Sequence, residues 1–121
     1  MSERRRQRVA EEIQRRASQF IREELKDPRL GFLTITGVDI NSDLTHAILH
    51  VSVMGTEEEQ RETMRTLQRA KGLIKRDIGD WLQIRTVPDI AFRHDTSIER
   101  GTRILQIMNT LEQEDGANAG T

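Results

Sequence analysis

The apolar residues of this chain change period at Asp27-Pro28, and that change limits what the chain can build. From Glu3 to Lys26, the residues Val9, Ile13, Ala17, Phe20, Ile21 and Leu25 recur every three or four positions, the spacing of an amphipathic helix. Proline disfavours helical backbone in the residue before it, so the helix stops, and Gly31 releases the chain from the turn into a strand. Phe32 to Ile40 then alternates at period two. Its apolar residues change phase from Leu33 and Ile35 to Val38 and Ile40 across Gly37, which predicts a bulge there. Asn41-Ser42-Asp43 turns the chain into a second strand, Thr45 to Met54, with Ala47, Leu49, Val51 and Val53 on one face. The two strands are predicted to pair as a hairpin.

Gly55 breaks the second strand, and Thr56 with Glu59 forms a capping box that opens a long helical region. Met64, Leu67, Ala70, Ile74, Ile78, Trp81 and Leu82 keep a helical apolar stripe through it, with Gly72 and Gly79 inside. A glycine in a helix interior costs roughly 1 kcal/mol relative to alanine, so two helices meeting at an angle near Ala70-Lys71-Gly72 are expected in place of one rod. Pro88 permits only a strand start or an edge, after which Ile90, Phe92 and His94 alternate as a third strand. Thr96 and Glu99 repeat the capping box before a last helix through Ile98, Leu105, Met108 and Leu111. The expected fold is α+β, a three-stranded sheet with helices on one face, in the order α-β-β-α-(kink)-α-β-α. Residues 1–111 are read as a single domain and 112–121 as a disordered acidic tail.

The 121 residues suit one compact domain, with no need for a disulfide or a structural metal. The chain has no cysteine, which removes disulfide frameworks, thiolate metal sites and thiol catalysis, and points to a reducing cytoplasm. No segment approaches the roughly 18 apolar residues of a membrane span, so neither secretion nor insertion is expected. The net charge of −1 conceals a strong polarity: residues 1–26 carry +3 and 61–94 carry +4, against −5 over 27–60 and −3 over 95–121. The two basic blocks are where an anionic partner would bind.

On a helical wheel Arg4, Arg8, Arg15, Arg22 and Lys26 fall within about 40° of one another, opposite the apolar stripe. An ordinary solvated helix face would show the same pattern. A second ridge comprises Arg61, Arg65, Arg69 and Arg76, within about 80° if the helical phase persists, with Gly72 and Gly79 at the same edge and Lys71 and Lys75 flanking the apolar side. Arginine meets phosphate in bidentate fashion, and a glycine among arginines removes the side chain that would hold a phosphate backbone away. A kink glycine is also used for backbone geometry alone. Trp81, Phe20 and Phe92 sit at predicted core positions and there is no tyrosine, so base-stacking platforms are not expected and recognition of RNA shape and backbone is. His46 and His50 share a strand face without a carboxylate pair at ligand spacing, and Glu57, Glu58 and Glu59 fit the first turn of a helix. No catalytic, cofactor or metal site is expected.

Two segments resemble the ribosome-binding factor A proteins. One is Leu25-Lys26-Asp27-Pro28-Arg29-Leu30-Gly31 followed by Leu33-Thr34-Ile35-Thr36-Gly37-Val38. The other is Val87-Pro88-Asp89-Ile90-Ala91-Phe92 followed by Asp95-Thr96-Ser97-Ile98-Glu99-Arg100-Gly101-Thr102-Arg103-Ile104. The likeness spans Glu3 to Leu111. It implies a type II KH-like fold in which an Ala-x-Gly interhelical kink, here Ala70-Lys71-Gly72, replaces the Gly-x-x-Gly loop that clamps single strands in KH domains. It further implies a cytoplasmic, non-enzymatic monomer that binds free 30S small ribosomal subunits near the neck and decoding region. There it would assist late maturation and 5′-end processing of 16S rRNA, support growth in the cold, and be released with help from a maturation GTPase. The binding residues implied are the basic ones of the first helix and around the kink, with Arg85 and Arg93 as weaker candidates. A KH-like protein-interaction module without direct rRNA contact is the competing reading.

Overall fold

The computed structural model describes residues 3–83 and 86–95. Helix α1 (Glu3–Phe20) buries Ile13 and Ala17, and a π-helical turn (Ile21–Leu25) continues it. That turn interrupts the 3.6-residue period, so Arg22 and Lys26 leave the phase of the upstream arginines. Lys26 closes the turn in the left-handed region, at φ 43° and ψ 41°. The chain then folds back on itself, the Leu30 N–H donating to the Asp27 carbonyl at 3.0 Å.

Strand β1 (Leu33–Ile40) pairs antiparallel with β2 (His46–Val53), and the register shifts between Ile35 and Gly37, which leaves Thr36 unmatched. The expected bulge therefore lies beside Gly37. It restores the buried phase, setting Leu33, Ile35, Val38 and Ile40 opposite Val53, Val51, Leu49 and Ala47. Strand β3 (Asp89–His94) runs parallel to β2 on its other side, so the sheet order is β1-β2-β3 with β2 central. A parallel pair needs a long crossover, and α2 (Glu57–Arg69) with α3 (Lys71–Leu82) supplies it.

The core lies between the inner sheet face and the helices. Ile13, Ala17 and Ile21 meet Leu67, Ile74 and Ile78 over Ile35, Leu49, Val51 and Ile90. At the edge strand β1, α1 side chains take two backbone acceptors: Gln14 Nε2 donates to the Ile35 carbonyl at 2.9 Å and Arg6 to that of Ile40 at 3.3 Å.

Helix α2 opens on the predicted capping box. Thr56 Oγ1 accepts from the Glu59 N–H at 3.1 Å, and Glu59 Oε1 accepts from the Thr56 N–H at 2.9 Å. The break between α2 and α3 falls at Ala70, whose φ of −87° and ψ of 1° leave helical geometry, while Lys71 and Gly72 are already the first residues of α3. The observed order α-β-β-α-α-β is that of a type II KH-like domain. The expected last helix and the expected tail over 112–121 lie outside the described residues.

Trp81 departs from expectation. It is 42% exposed and not in the core, whereas Thr63 and Thr66 of α2 are buried. Both threonines are satisfied: Thr66 Oγ1 donates to the Glu62 carbonyl at 2.8 Å, and Thr63 Oγ1 accepts from the Gly31 N–H at 2.9 Å. The second bond fastens the turn after α1 to α2. Thr63→Val keeps the shape and removes the acceptor, and should lower unfolding free energy by about 1–2 kcal/mol in urea titration.

Candidate nucleic-acid interface

Arg4, Arg8 and Arg15 stand exposed on α1, with Arg22 in the π-helical turn and Lys26 at its cap. Arg4 and Arg8 make no ion pair among the described residues. Arg15 lies with its guanidinium 5.6 Å from the centroid of Trp81 on α3 and one nitrogen 3.8 Å from Glu12, while Arg22 reaches Glu23 only at 3.9 Å.

The second block divides at Ala70. Arg61, Arg65 and Arg69 project from α2 and are exposed; Gly72 and Arg76 are exposed on α3, and Lys71 and Lys75 are half-buried there. Because the helix breaks at Ala70, Arg76 belongs to α3 and not to the α2 ridge. Lys75 is also less available than its neighbours, since its Nζ lies 2.6 Å from Asp89 Oδ1 and ties α3 to the start of β3.

One contact brings the blocks together. Arg16 grips Asp77 of α3 through Nε at 2.6 Å and Nη2 at 2.7 Å, and the same Nη2 lies 2.7 Å from Glu24 in the π-helical turn. The hydrogen bonds to Asp77 and the charge of Glu24 raise the Arg16 pKa. On the wheel Arg16 is only one of several adjacent arginines, and no local signal separates the one that pairs across the fold from those left in solvent. Asp27 is held locally. Arg29 donates to it from Nε, Nη2 and its backbone N–H and holds its carboxyl at about 2, with the Arg69 charge acting in the same direction. The end of the first block thus lies within electrostatic reach of α2.

The aromatics correct a sequence expectation. Phe20 and Phe92 pack partly against the core, but Trp81 is on the surface beside Arg15 and Phe32 is 84% exposed, so two aromatic rings are exposed, one of them at an expected core position. Phe32 stands just before β1, where strand periodicity imposes no inward phase. His50 Nε2 lies 2.7 Å from Asp39 and His46 Nδ1 2.9 Å from Thr45 Oγ1. No group of three or more metal-ligating side chains occurs among the described residues, and no described helix is long and apolar enough to cross a membrane.

Fold and surface together define a class: a small α+β domain whose helices cover one sheet face, break at an interhelical alanine, and turn arginine-rich sides outward. The chain belongs to the ribosome-binding factor A family, whose sequence profile matches residues 5–108. A Desulfitobacterium hafniense relative named ribosome-binding factor A is 41% identical over 120 residues, covering 99% of this chain and 96% of its own. The solution structure of a Thermotoga maritima protein, a candidate ribosome binding factor A, is similar at a TM-score of 0.69 and 35% identity, covering 82% of this chain and 94% of that one. A Thermus thermophilus ribosome binding factor A homology model, fitted into the cryo-EM map of its 30S complex, shares the fold at a TM-score of 0.62 and 24% identity, over 73% and 92% of the two chains.

The two glycines of α3 separate on structural grounds. A β-carbon at Gly72 would meet nothing within 4 Å, whereas one at Gly79 would sit 2.5 Å from Val87 Cγ2. Gly72→Ala should therefore raise unfolding free energy by up to about 1 kcal/mol, and Gly79→Ala should lower it, both measured by thermal melting. Any loss of ligand affinity in folded Gly72→Ala then belongs to the ligand contact. For Asp27, a folded pKa below the ordinary 3.8 means a contribution to stability that is complete above that value and lost as pH falls through about 2. An NMR titration should place its midpoint near 2, and Arg29→Gln should move it back towards 3.8.

Proposed function

We propose that this protein binds the free 30S small ribosomal subunit by holding the backbone of 16S rRNA, and so assists late maturation and 5′-end processing of that RNA, a role that matters for growth in the cold. The observation that carries this reading is the set of exposed arginines on either side of the Ala70 break, Arg61, Arg65 and Arg69 on α2 and Arg76 on α3, around a Gly72 that the fold itself does not require. Family membership supports it, as does the fitting of a Thermus thermophilus relative into the map of a 30S complex.

Arg4, Arg8, Arg15, Arg22 and Lys26 extend the phosphate-binding surface along α1, and Lys71 and Lys75 support it from the flank of α3. The protein acts by fixing an RNA conformation and not by catalysis. It works in the cytoplasm as a monomer comprising one KH-like domain over residues 1–111 and an acidic tail, and a maturation GTPase assists its release.

Cosedimentation with purified small subunits, large subunits and complete ribosomes tests this. Wild type should pellet with free small subunits alone, and Arg65→Glu/Arg69→Glu/Arg76→Glu should remain in the supernatant while keeping its native circular dichroism. Phosphate contacts release counterions, so each one lost should lower the log-log salt slope by roughly 0.7 to 0.9. A folded triple variant that binds as wild type does would overturn the assignment of this surface, and equal binding to all particles would overturn the 30S reading.

A further inference from the structure

The π-helical turn and the first residues of β1 enclose an open groove of about 430 Å³, within the size range of small-ligand sites. Its apolar lining includes Ile21 and Leu30, Thr34 contributes a hydroxyl, and Arg22 and Lys26 contribute charge. Phe32 also lines it and is 84% exposed. This ring is not on a loose loop. The Gly31 N–H is bonded to Thr63 Oγ1, and the Phe32 carbonyl accepts from the Met54 N–H at 2.9 Å, so the backbone on both sides of the side chain is fastened. Lys26 reaches the groove from a left-handed backbone position that glycine would occupy more cheaply, by roughly 1 kcal/mol.

We propose that this groove takes one unpaired nucleotide of the bound RNA, its base stacked on Phe32 and its phosphate met by Arg22 and Lys26. The inference deepens the rRNA reading above and rests on it. A base has an aromatic face whatever its identity, so an exposed phenyl ring on a fastened backbone, lining the same groove as two cations, selects a nucleotide without selecting a sequence. Asp27 also lines the groove, but its carboxylate is already engaged by Arg29 through both side-chain and backbone donors. The π-helical turn takes these two cations off the α1 ridge and sets them on the lining of the groove, beside Phe32. The charge therefore favours an anionic strand over an apolar peptide.

The full-length protein is titrated by fluorescence anisotropy with a short single-stranded RNA and with the same oligomer carrying abasic sites, alongside the small-subunit cosedimentation. Wild type should prefer the base-bearing oligomer by about fivefold to tenfold, within the range of one base stacked on one aromatic side chain. Phe32→Ala should abolish that preference and leave the salt slope unchanged. Phe32→Leu, which keeps apolar area and loses the aromatic face, should behave like Phe32→Ala, and Phe32→Trp should recover the preference. Arg22→Gln/Lys26→Gln should weaken both oligomers and lower the slope by roughly 0.7. Because the Phe32 side chain is almost wholly in solvent, these variants should melt with wild type.

A preference that survives in Phe32→Ala, or wild type that binds neither oligomer or both alike, overturns the nucleotide site; intact small-subunit binding in the same preparation leaves the broader reading standing. Wild type that fails to pellet with small subunits defeats both. If Phe32→Ala binds RNA normally but loses a nuclease-resistant peptide partner, the groove is a peptide site and the proposal is wrong.

Discussion

The paired hydrogen bonds between Arg16 and Asp77 determine how the first helix lies across the third. The two side chains are 13% and 17% exposed, and the guanidinium also reaches Glu24, so one residue joins α1, the π-helical turn and α3. Two parallel N–H donors fix an angle as well as a distance, and the apolar contacts of Ile13 and Ala17 beneath them do not have that directionality. With α1 held in this way, its arginines point outward on a defined side of α3. Removing only the Asp77 carboxylate would leave a guanidinium partly out of water beside Glu24 and Gln19 alone, a larger loss than an exposed ion pair gives.

The sheet explains why the helices are arranged on one face. Its central strand β2 alternates strictly, with Ala47, Leu49, Val51 and Val53 inward and His46, Ile48, His50 and Ser52 outward. The parallel partner β3 obliges the chain to cross from one end of the sheet to the other, and the crossover is the broken α2-α3 unit that carries most of the second basic block. Topology and charge thus arise from the same segment. Val87 packs where Gly79 lacks a β-carbon, and Lys75 reaches Asp89, so α3 is tied to the strand that follows it at two points.

Much of this was legible in the chain because local chemistry repeats. Periodicity located α1 and both hairpin strands, the change of phase across Gly37 located the bulge, and Thr56 with Glu59 located the start of α2. What was not legible depended on partners distant in sequence. Arg16 looks like Arg15 until Asp77 is brought beside it, and Lys75 looks free until β3 places Asp89 within reach. Trp81 fell on the apolar stripe by spacing, yet it lies in the last turn of α3, where the packed face ends. The π-helical turn left no mark in residue type, and it redirected Arg22 and Lys26 from a ridge to a groove. Those are the features that decide which cations are available, so the candidate site was less legible than the fold.

Trp81 has a further consequence, because it is the only tryptophan and the chain has no tyrosine. All indole emission from this protein therefore originates at one point, beside the Arg15 guanidinium on the seam between α1 and α3. A change in that emission reports on the seam and not on the sheet. The molecule thus carries a built-in optical probe of whether its first helix stays docked, readable without a label and separable from the far-ultraviolet signal of the backbone.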